Sequence, residues 1–265
     1  MEIFWLWYLL LGAGAGFLAG LLGIGGGLVQ VPVLVFLFSA QRISPEHVLH
    51  LALGTAMASV LFTSASSVRA HHFHRAVDWS IVKRMAAGVA FGVALAAFIA
   101  GRAPTRALAI FFTAFVYCAA TQLILNLRPN AQRALPGTFG MFVAGAVVGG
   151  ISSLVAAGGG LLSVPYLTWC NVSVHRAIGT AAAVGFPVAI AGSIGYIVNG
   201  WGATHLPPGS LGYIYSPALF WIVVASMLAA PLGARLAHRT PTGTLRKIFA
   251  LLLYVLATRM LWELL

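Results

Sequence analysis

The sequence predicts an all-α integral membrane protein of two inverted repeats, each a glycine-tipped broken-helix hairpin followed by three transmembrane helices. Charge scarcity, two apolar runs too long for one helix, and an internal repeat carry that prediction. Of 265 residues, 60% are hydrophobic and 7% charged, with 15 Lys and Arg against 4 Asp and Glu. Soluble domains carry roughly 25% charged residues, so the solvent here must largely be lipid. That excludes a cytosolic enzyme, a secreted disulfide scaffold and a disordered tail. The formal charge of +11 sits in short basic clusters between apolar runs. This is a pattern of membrane topology, and no nucleic-acid partner is expected. Cys118 and Cys170 lie in apolar surroundings, so no disulfide framework is expected. No Lys or Arg precedes Arg42, so the basic lead of a signal peptide is missing.

Charge-free stretches run over 3–41, 47–68, 85–101, 107–127, 134–175 and 177–234, with a last apolar run from Ile248. A spanning helix needs about 20 residues, so 47–68, 85–101, 107–127 and the final run each hold one. The stretch 177–234 breaks at Asn199-Gly200-Trp201-Gly202 and Pro207-Pro208-Gly209 into two helices around a polar loop. A continuous helix over 3–41 would be about 58 Å long, nearly twice the ~30 Å hydrocarbon core. Both 3–41 and 134–175 carry a glycine break, Gly23-Ile24-Gly25-Gly26-Gly27 and Ala156-Ala157-Gly158-Gly159-Gly160. Each is two short arms meeting at a glycine tip.

The two halves repeat one another. At an offset of 133, residues 9–34 match 142–167 at 11 of 26 positions, including Gly12/Gly145, Gly16/Gly149, the three tip glycines and Pro32/Pro165. At an offset of 125, His50-x-x-x-Gly54-Thr55-Ala56 matches His175-x-x-x-Gly179-Thr180-Ala181. At an offset of 137, Pro104, Thr105, Tyr117 and Thr121 match Pro241, Thr242, Tyr254 and Thr258. Repeat 1 is therefore placed at 1–133, with a hairpin over 3–41 and helices over about 47–68, 80–101 and 105–127. Repeat 2 takes 134–265, with a hairpin over 137–171 and helices over about 174–198, 214–236 and 243–264.

Charge then orients the halves. Parallel halves with eight crossings divide the Lys and Arg 7 to 8, which gives no bias. If each hairpin enters and leaves on one face, the halves are inverted and the division is 11 to 4. The positive-inside rule makes the side of 11 cytoplasmic, in an inner (plasma) membrane, with both termini outside. The parity is the same whether the hairpin arms re-enter or cross fully.

The core Gly25-Gly26-Gly27-Leu28-Val29-Gln30-Val31-Pro32, inside Gly12–Pro32, resembles the TauE/SafE sulfite-exporter family. Its echo over Ala157–Pro165 sits where that family's second copy would be, and the Gly-Thr pairs and Val77-Asp78-Trp79 are also similar. Repeat 2 departs from the pattern in having Ala156-Ala157 where repeat 1 has Gly23-Ile24. The resemblance covers essentially the whole chain. It implies a secondary transporter, in the direction of export, for sulfite, thiosulfate or organosulfonates, and no enzyme.

The residues themselves favour an anion. The acids Glu2, Glu46, Asp78 and Glu263 lie at segment ends or in loops. Cation and proton carriers place carboxylates at midplane. No metal site or cofactor is expected. A helix N-terminus offers free N–H groups and about half a positive charge, and glycine lets an oxyanion approach the backbone. The expected site is thus Gly25, Gly26, Gly27 and Gln30 with Gly158, Gly159, Gly160 and Ser163, at two N-termini converging from opposite faces. Thr55 and Thr180 add equivalent hydroxyls on the following helices. His50 and His175 are the candidate gating or pH-sensing pair, because histidine changes charge near neutral pH. His71-His72-x-His74, between Arg69 and Arg75, reads as a solvated basic loop, and Arg176 and Arg259 as side chains that snorkel from helix ends. Two alternatives belong to other classes. One is a membrane redox protein with His50 and His175 as haem ligands, which a Soret band would reveal. The other is a ligand-free assembly subunit, whose thermal stability no anion would change.

Overall fold

The computed structural model describes residues 4–22, 26–125, 133–237 and 242–264. Among these residues the regular structure is helical apart from one two-stranded hairpin. In chain order the elements are α1 (Phe4–Leu22), α2 (Gly27–Ala40), α3 (Pro45–Phe73), α4 (Trp79–Ala100), α5 (Thr105–Leu125) and α6 (Thr138–Leu154). Then come α7 (Gly160–Trp169), α8 (Val174–Gly200), β1 (Ser210–Leu211), β2 (Ile214–Tyr215), α9 (Ser216–Ala237) and α10 (Thr242–Leu264). Among the described residues, five helices are long and apolar enough to cross a membrane: α3, α4, α5, α8, and α9 over Ser216–Gly233. The arms that follow the glycine tips are shorter. With 14 and 10 residues, α2 and α7 reach about 21 and 15 Å at 1.5 Å per residue.

Each broken stretch holds two helices, α1 and α2 in the first and α6 and α7 in the second. The second arms also end alike. Arg42 (φ 57) and Asn171 (φ 62) take the left-handed conformation just beyond α2 and α7. Ile43 N–H donates to Phe38 O at 3.1 Å and Val172 N–H to Leu167 O at 3.0 Å, closing the same C-terminal turn.

Contacts between elements exchange when α1 to α5 are set against α6 to α10. Thus α1 packs along α9 and α6 along α4; α2 lies on α3 and α7 on α8; α9 leans on α3 and α4 on α8. Two further pairs, α3 with α8 and α5 with α10, join equivalent helices, whereas the packing of α2 on α10 has no equal in the other half among the described residues. Small residues make the first two contacts close. A Cβ on Gly12 would lie 2.5 Å from Ile222 O, and one on Gly16 2.5 Å from Ser226 O. Gly145 and Gly149 face Met85 and Val89 in the same way, the repeat equivalents of Ile222 and Ser226 at the 137-residue offset. Such spacing lets helix backbones approach in a lipid environment.

Helix α3 runs antiparallel to α8. Ala76 and Asp78, just past the end of α3, meet Gly179, Thr180 and Arg176 at the start of α8. Tyr213 and Tyr215, past the end of α8, meet Gly54 and Thr55 near the start of α3.

Two sequence expectations change. His71 and His72 are the last turn of α3 rather than loop, because no breaker interrupts the chain until Arg75, at φ 52. The polar loop after α8 contains the β1–β2 hairpin, Ser210 opposite Tyr215 and Leu211 opposite Ile214, turned at Gly212 with φ 55. Two-residue strands are too short to show alternation in sequence.

Candidate functional site

Residues of both tips meet where α3 and α8 pass. Gly26 caps α2 with ordinary right-handed backbone (φ −80) and no side-chain cap, and its carbonyl accepts from Gln30 N–H at 3.0 Å. A Cβ on Gly27 would collide with the carbonyl of Ala156, in the other tip, and come within 3.4 Å of Val60 on α3. Gly158 approaches that same Val60, where a Cβ would sit 3.1 Å from Cγ1. Gly159 has φ +71, and a Cβ there would lie 3.1 Å from Gly185 Cα. Val60 and Gly185 are repeat equivalents at the 125-residue offset. Glycine is required at Gly27 by close approach and at Gly159 by conformation. Gly25 lies outside the described residues.

The polar groups are buried. Gln30, on the first turn of α2, is 1% exposed, and its Oε1 accepts from the hydroxyl of Ser59 on α3. Ser163, its equivalent on α7, is fully buried, and its Oγ has no partner among the described residues. Gly160 N–H turns back to Gly158 O at 2.8 Å and Ser163 N–H bonds Gly159 O at 2.9 Å. Between them, the N–H groups of Leu161 and Leu162 have no backbone acceptor among the described residues. The structure therefore brings Gly27 of one tip and Ala156 and Gly158 of the other to Val60, with Gly26 and Gln30 on the first side and Gly159, Gly160 and Ser163 on the second.

Thr55 and Thr180 lie five residues before Val60 and Gly185, about 7.5 Å along their helices. Each hydroxyl already accepts a backbone N–H from the other half. Tyr215 donates to Thr55 Oγ1 at 3.0 Å and Asp78 to Thr180 Oγ1 at 2.9 Å. The preceding glycines leave room for the same loops, Gly54 for the Tyr213 carbonyl and Gly179 for that of Ala76. Each Gly-Thr pair thus seats the loop that leads into the opposite half's next helix. The threonine protons are what remains to offer a ligand.

His50 and His175 have unlike surroundings. His50 is buried; its Nε2–H donates to Ala100 O at 3.2 Å, and its ring lies 5.1 Å from that of Tyr213. Its Nδ1 has no partner among the described residues. His175 is exposed at the start of α8. Burial pushes the Tyr213 hydroxyl above its usual range.

Sequence reasoning missed Ser59, whose repeat equivalent is Val184, so no duplicated signal marked it. It also missed the work of Asp78, read as an acid at a segment end or in a loop and as part of the Val77-Asp78-Trp79 resemblance. Asp78 caps α4 through Ser80 N–H at 3.1 Å and Ile81 N–H at 3.4 Å. Its other oxygen pairs with Arg176 at 2.9 Å, so Arg176 is held by an ion pair rather than simply snorkelling. Near the end of α3, Trp79 Nε1–H donates to His72 Nδ1 at 3.2 Å. Among the described residues no group of three His, Cys, Asp or Glu could hold a metal.

Comparison with known proteins agrees with a membrane protein. A probable membrane transporter protein of Haemophilus influenzae is 37% identical over 261 residues, covering 98% of this chain and 99% of that protein. The probable membrane transporter protein YunE of Bacillus subtilis is 24% identical, covering 96% of each. A probable membrane transporter protein of Methanocaldococcus jannaschii is 26% identical over 93% of this chain and 91% of its own length. No solved structure matches. The family profile described as "Sulfite exporter TauE/SafE" matches residues 8–260, and the chain belongs to that family of membrane transporters.

Proposed function

We propose that the protein exports a small sulfur-containing anion, such as sulfite, thiosulfate or an organosulfonate, binding it between the N-termini of α2 and α7. The observation that carries this reading is the meeting of the two tips, Gly27 against Ala156 beside Val60, with the Ser163 hydroxyl on the second arm buried and without a partner among the described residues. An anion leaving water needs donors to replace its hydration. Two helix N-termini, the Gln30 amide and the Ser163 hydroxyl supply them without a cation. Thr55 and Thr180 flank the site with their protons. The antiparallel pairing of α3 and α8 supports inverted halves, which bring half-helix ends to the midplane from opposite faces. In this arrangement the 11-to-4 division of Lys and Arg places both termini outside an inner membrane.

Gly26 is the position at which to test the site. Alanine at Gly27 would collide with backbone, and at Gly159 it would be strained, so those variants report folding. At Gly26 the backbone accepts a side chain. The new Cβ would meet Ala15 O at 3.1 Å and Gln30 Nε2 at 3.2 Å. Gly26→Ala is expected to lower anion flux in proteoliposomes about tenfold while the protein stays monodisperse. Gly14→Ala, with nothing within 4 Å, is the control and should transport at the parental rate. A thermal-shift series of sulfite, sulfate, thiosulfate, taurine and sulfoacetate then identifies the anion, and Gly26→Ala should abolish the shift. Parental flux in Gly26→Ala would make the tips packing elements. His50 and His175 are the titratable pair of the path in this reading. A flux–pH profile unchanged in both His50→Gln and His175→Gln removes them from it.

A further inference from the structure

We propose that Ser59 is a positioning residue for the anion: it holds the carbonyl end of the Gln30 amide, so that the NH₂ end stands as a double donor beside the α2 N-terminus. This rests on the binding reading above and adds to it the residue that sets the site's polarity.

Gln30 and Ser59 are buried to 1% and 0% exposure, so neither can exchange its partner for bulk water. Ser59 Oγ contacts two oxygens, Gln30 Oε1 and, at 2.9 Å, the carbonyl of Ala56. A serine hydroxyl has one proton. Ala56 O, inside α3, already receives the helical N–H four residues on. Gln30 Oε1 has no other donor among the described residues, so the proton goes to Gln30. The amide nitrogen then faces the other way. It lies 3.2 Å from the point a Cβ on Gly26 would occupy, which places it beside the α2 cap. Both of its protons are free of acceptors among the described residues.

The alternative arrangement shows why the brace matters. Turned over, the amide would donate to Ser59 Oγ, Ser59 would donate to Ala56 O, and the Gln30 carbonyl would face the tip. A carbonyl there repels an anion and invites a cation. Anion binding and the direction of the Ser59 proton are therefore linked. The second half has no such brace: Ser163 replaces Gln30, and Val184, buried and apolar, replaces Ser59. A hydroxyl on a short side chain turns to suit its ligand. A long amide has two chemically opposite ends and must be held.

The test separates KM from Vmax for sulfite in proteoliposomes. Ser59→Ala leaves the amide unheld and should raise KM roughly three- to tenfold with Vmax within about twofold. Ser59→Thr keeps the hydroxyl and should restore the parental KM. Ser59→Cys, a weaker donor of similar size, should fall between them and serves if the alanine variant does not fold. Gln30→Met removes the donor and should raise KM at least as much as Ser59→Ala. A parental KM in Ser59→Ala and Ser59→Cys, with a raised KM in Gln30→Met, overturns the role of Ser59 and leaves the binding reading standing. A parental KM in Gln30→Met overturns it as well, by removing the amide from the site. Failure of the binding reading itself shows separately, as parental flux in Gly26→Ala.

Discussion

A buried threonine hydroxyl that accepts a backbone N–H has a measurable structural role. Thr55 Oγ1 receives Tyr215 N–H across 160 residues of sequence, and Thr180 Oγ1 receives Asp78 N–H across 102. Removing the acceptor leaves a buried donor unpaired, a cost of about 1–3 kcal/mol. Thr55→Val should therefore destabilise the folded protein by about that amount in a reversible unfolding assay, with Thr55→Ser close to parental. Thr180→Val should cost less, because its partner Asp78 is only part-buried. A Thr55→Val protein of parental stability would mean that the Tyr215 bond is not formed. The Gly-Thr pairs were legible in the sequence as a duplicated motif, but their partners were not. Those partners lie in the opposite half, and nothing local to Tyr215 or Asp78 announces them. Ser59 was illegible for a different reason, since its brace on Gln30 exists in one half only.

At the scale of helices, the duplicated Tyr-x-x-x-Thr of α5 and α10 becomes a reciprocal bridge. Thr121 and Thr258 donate to the carbonyls of Tyr117 and Tyr254 one turn earlier, at 2.8 and 2.7 Å. Their oxygens are then left to accept, Thr258 from Tyr117 O–H at 2.6 Å and Thr121 from Tyr254 O–H. The two tyrosine rings lie 5.2 Å apart. All four hydroxyls are satisfied within the bridge, so it can sit at an exposed helix seam in lipid without further partners. Interhelical bonds of this kind are worth about 0.6 kcal/mol on average in membrane proteins. A double-mutant cycle on Tyr117→Phe and Thr258→Val should return a coupling of about that size. A second cycle on Tyr254→Phe and Thr121→Val should match it. Zero coupling in both would reduce the bridge to ring packing. Charge-free length and glycine position made the helices and hairpins legible. The shortness of α7 and the β1–β2 hairpin were not, because both follow from how the chain turns back on itself.

For the whole molecule, the question is which ends of equivalent helices share a membrane face. The end of α3 lies beside the start of α8, through Ala76 against Gly179 and Asp78 with Arg176. The loop after α8 lies beside the start of α3, through Tyr213 against Gly54. In a flat bilayer, antiparallel helices of 29 and 27 residues, each about 40 Å long, put their C-terminal ends on opposite faces. His72 and Ala203 mark those two ends. In the proposed orientation the α3 end, where Arg69, Arg75, Lys83 and Arg84 gather, faces the cytoplasm by the positive-inside rule. The experiment starts from Cys118→Ser with Cys170→Ser, so that a single introduced cysteine carries the signal. An impermeant maleimide applied to intact cells should label Ala203→Cys and leave His72→Cys untouched until the membrane is opened. Labelling of His72→Cys alone would turn the molecule over, with the basic face outside. Labelling of both from outside would place the two ends on one face and undo the inversion on which a midplane anion site between opposed helix N-termini depends.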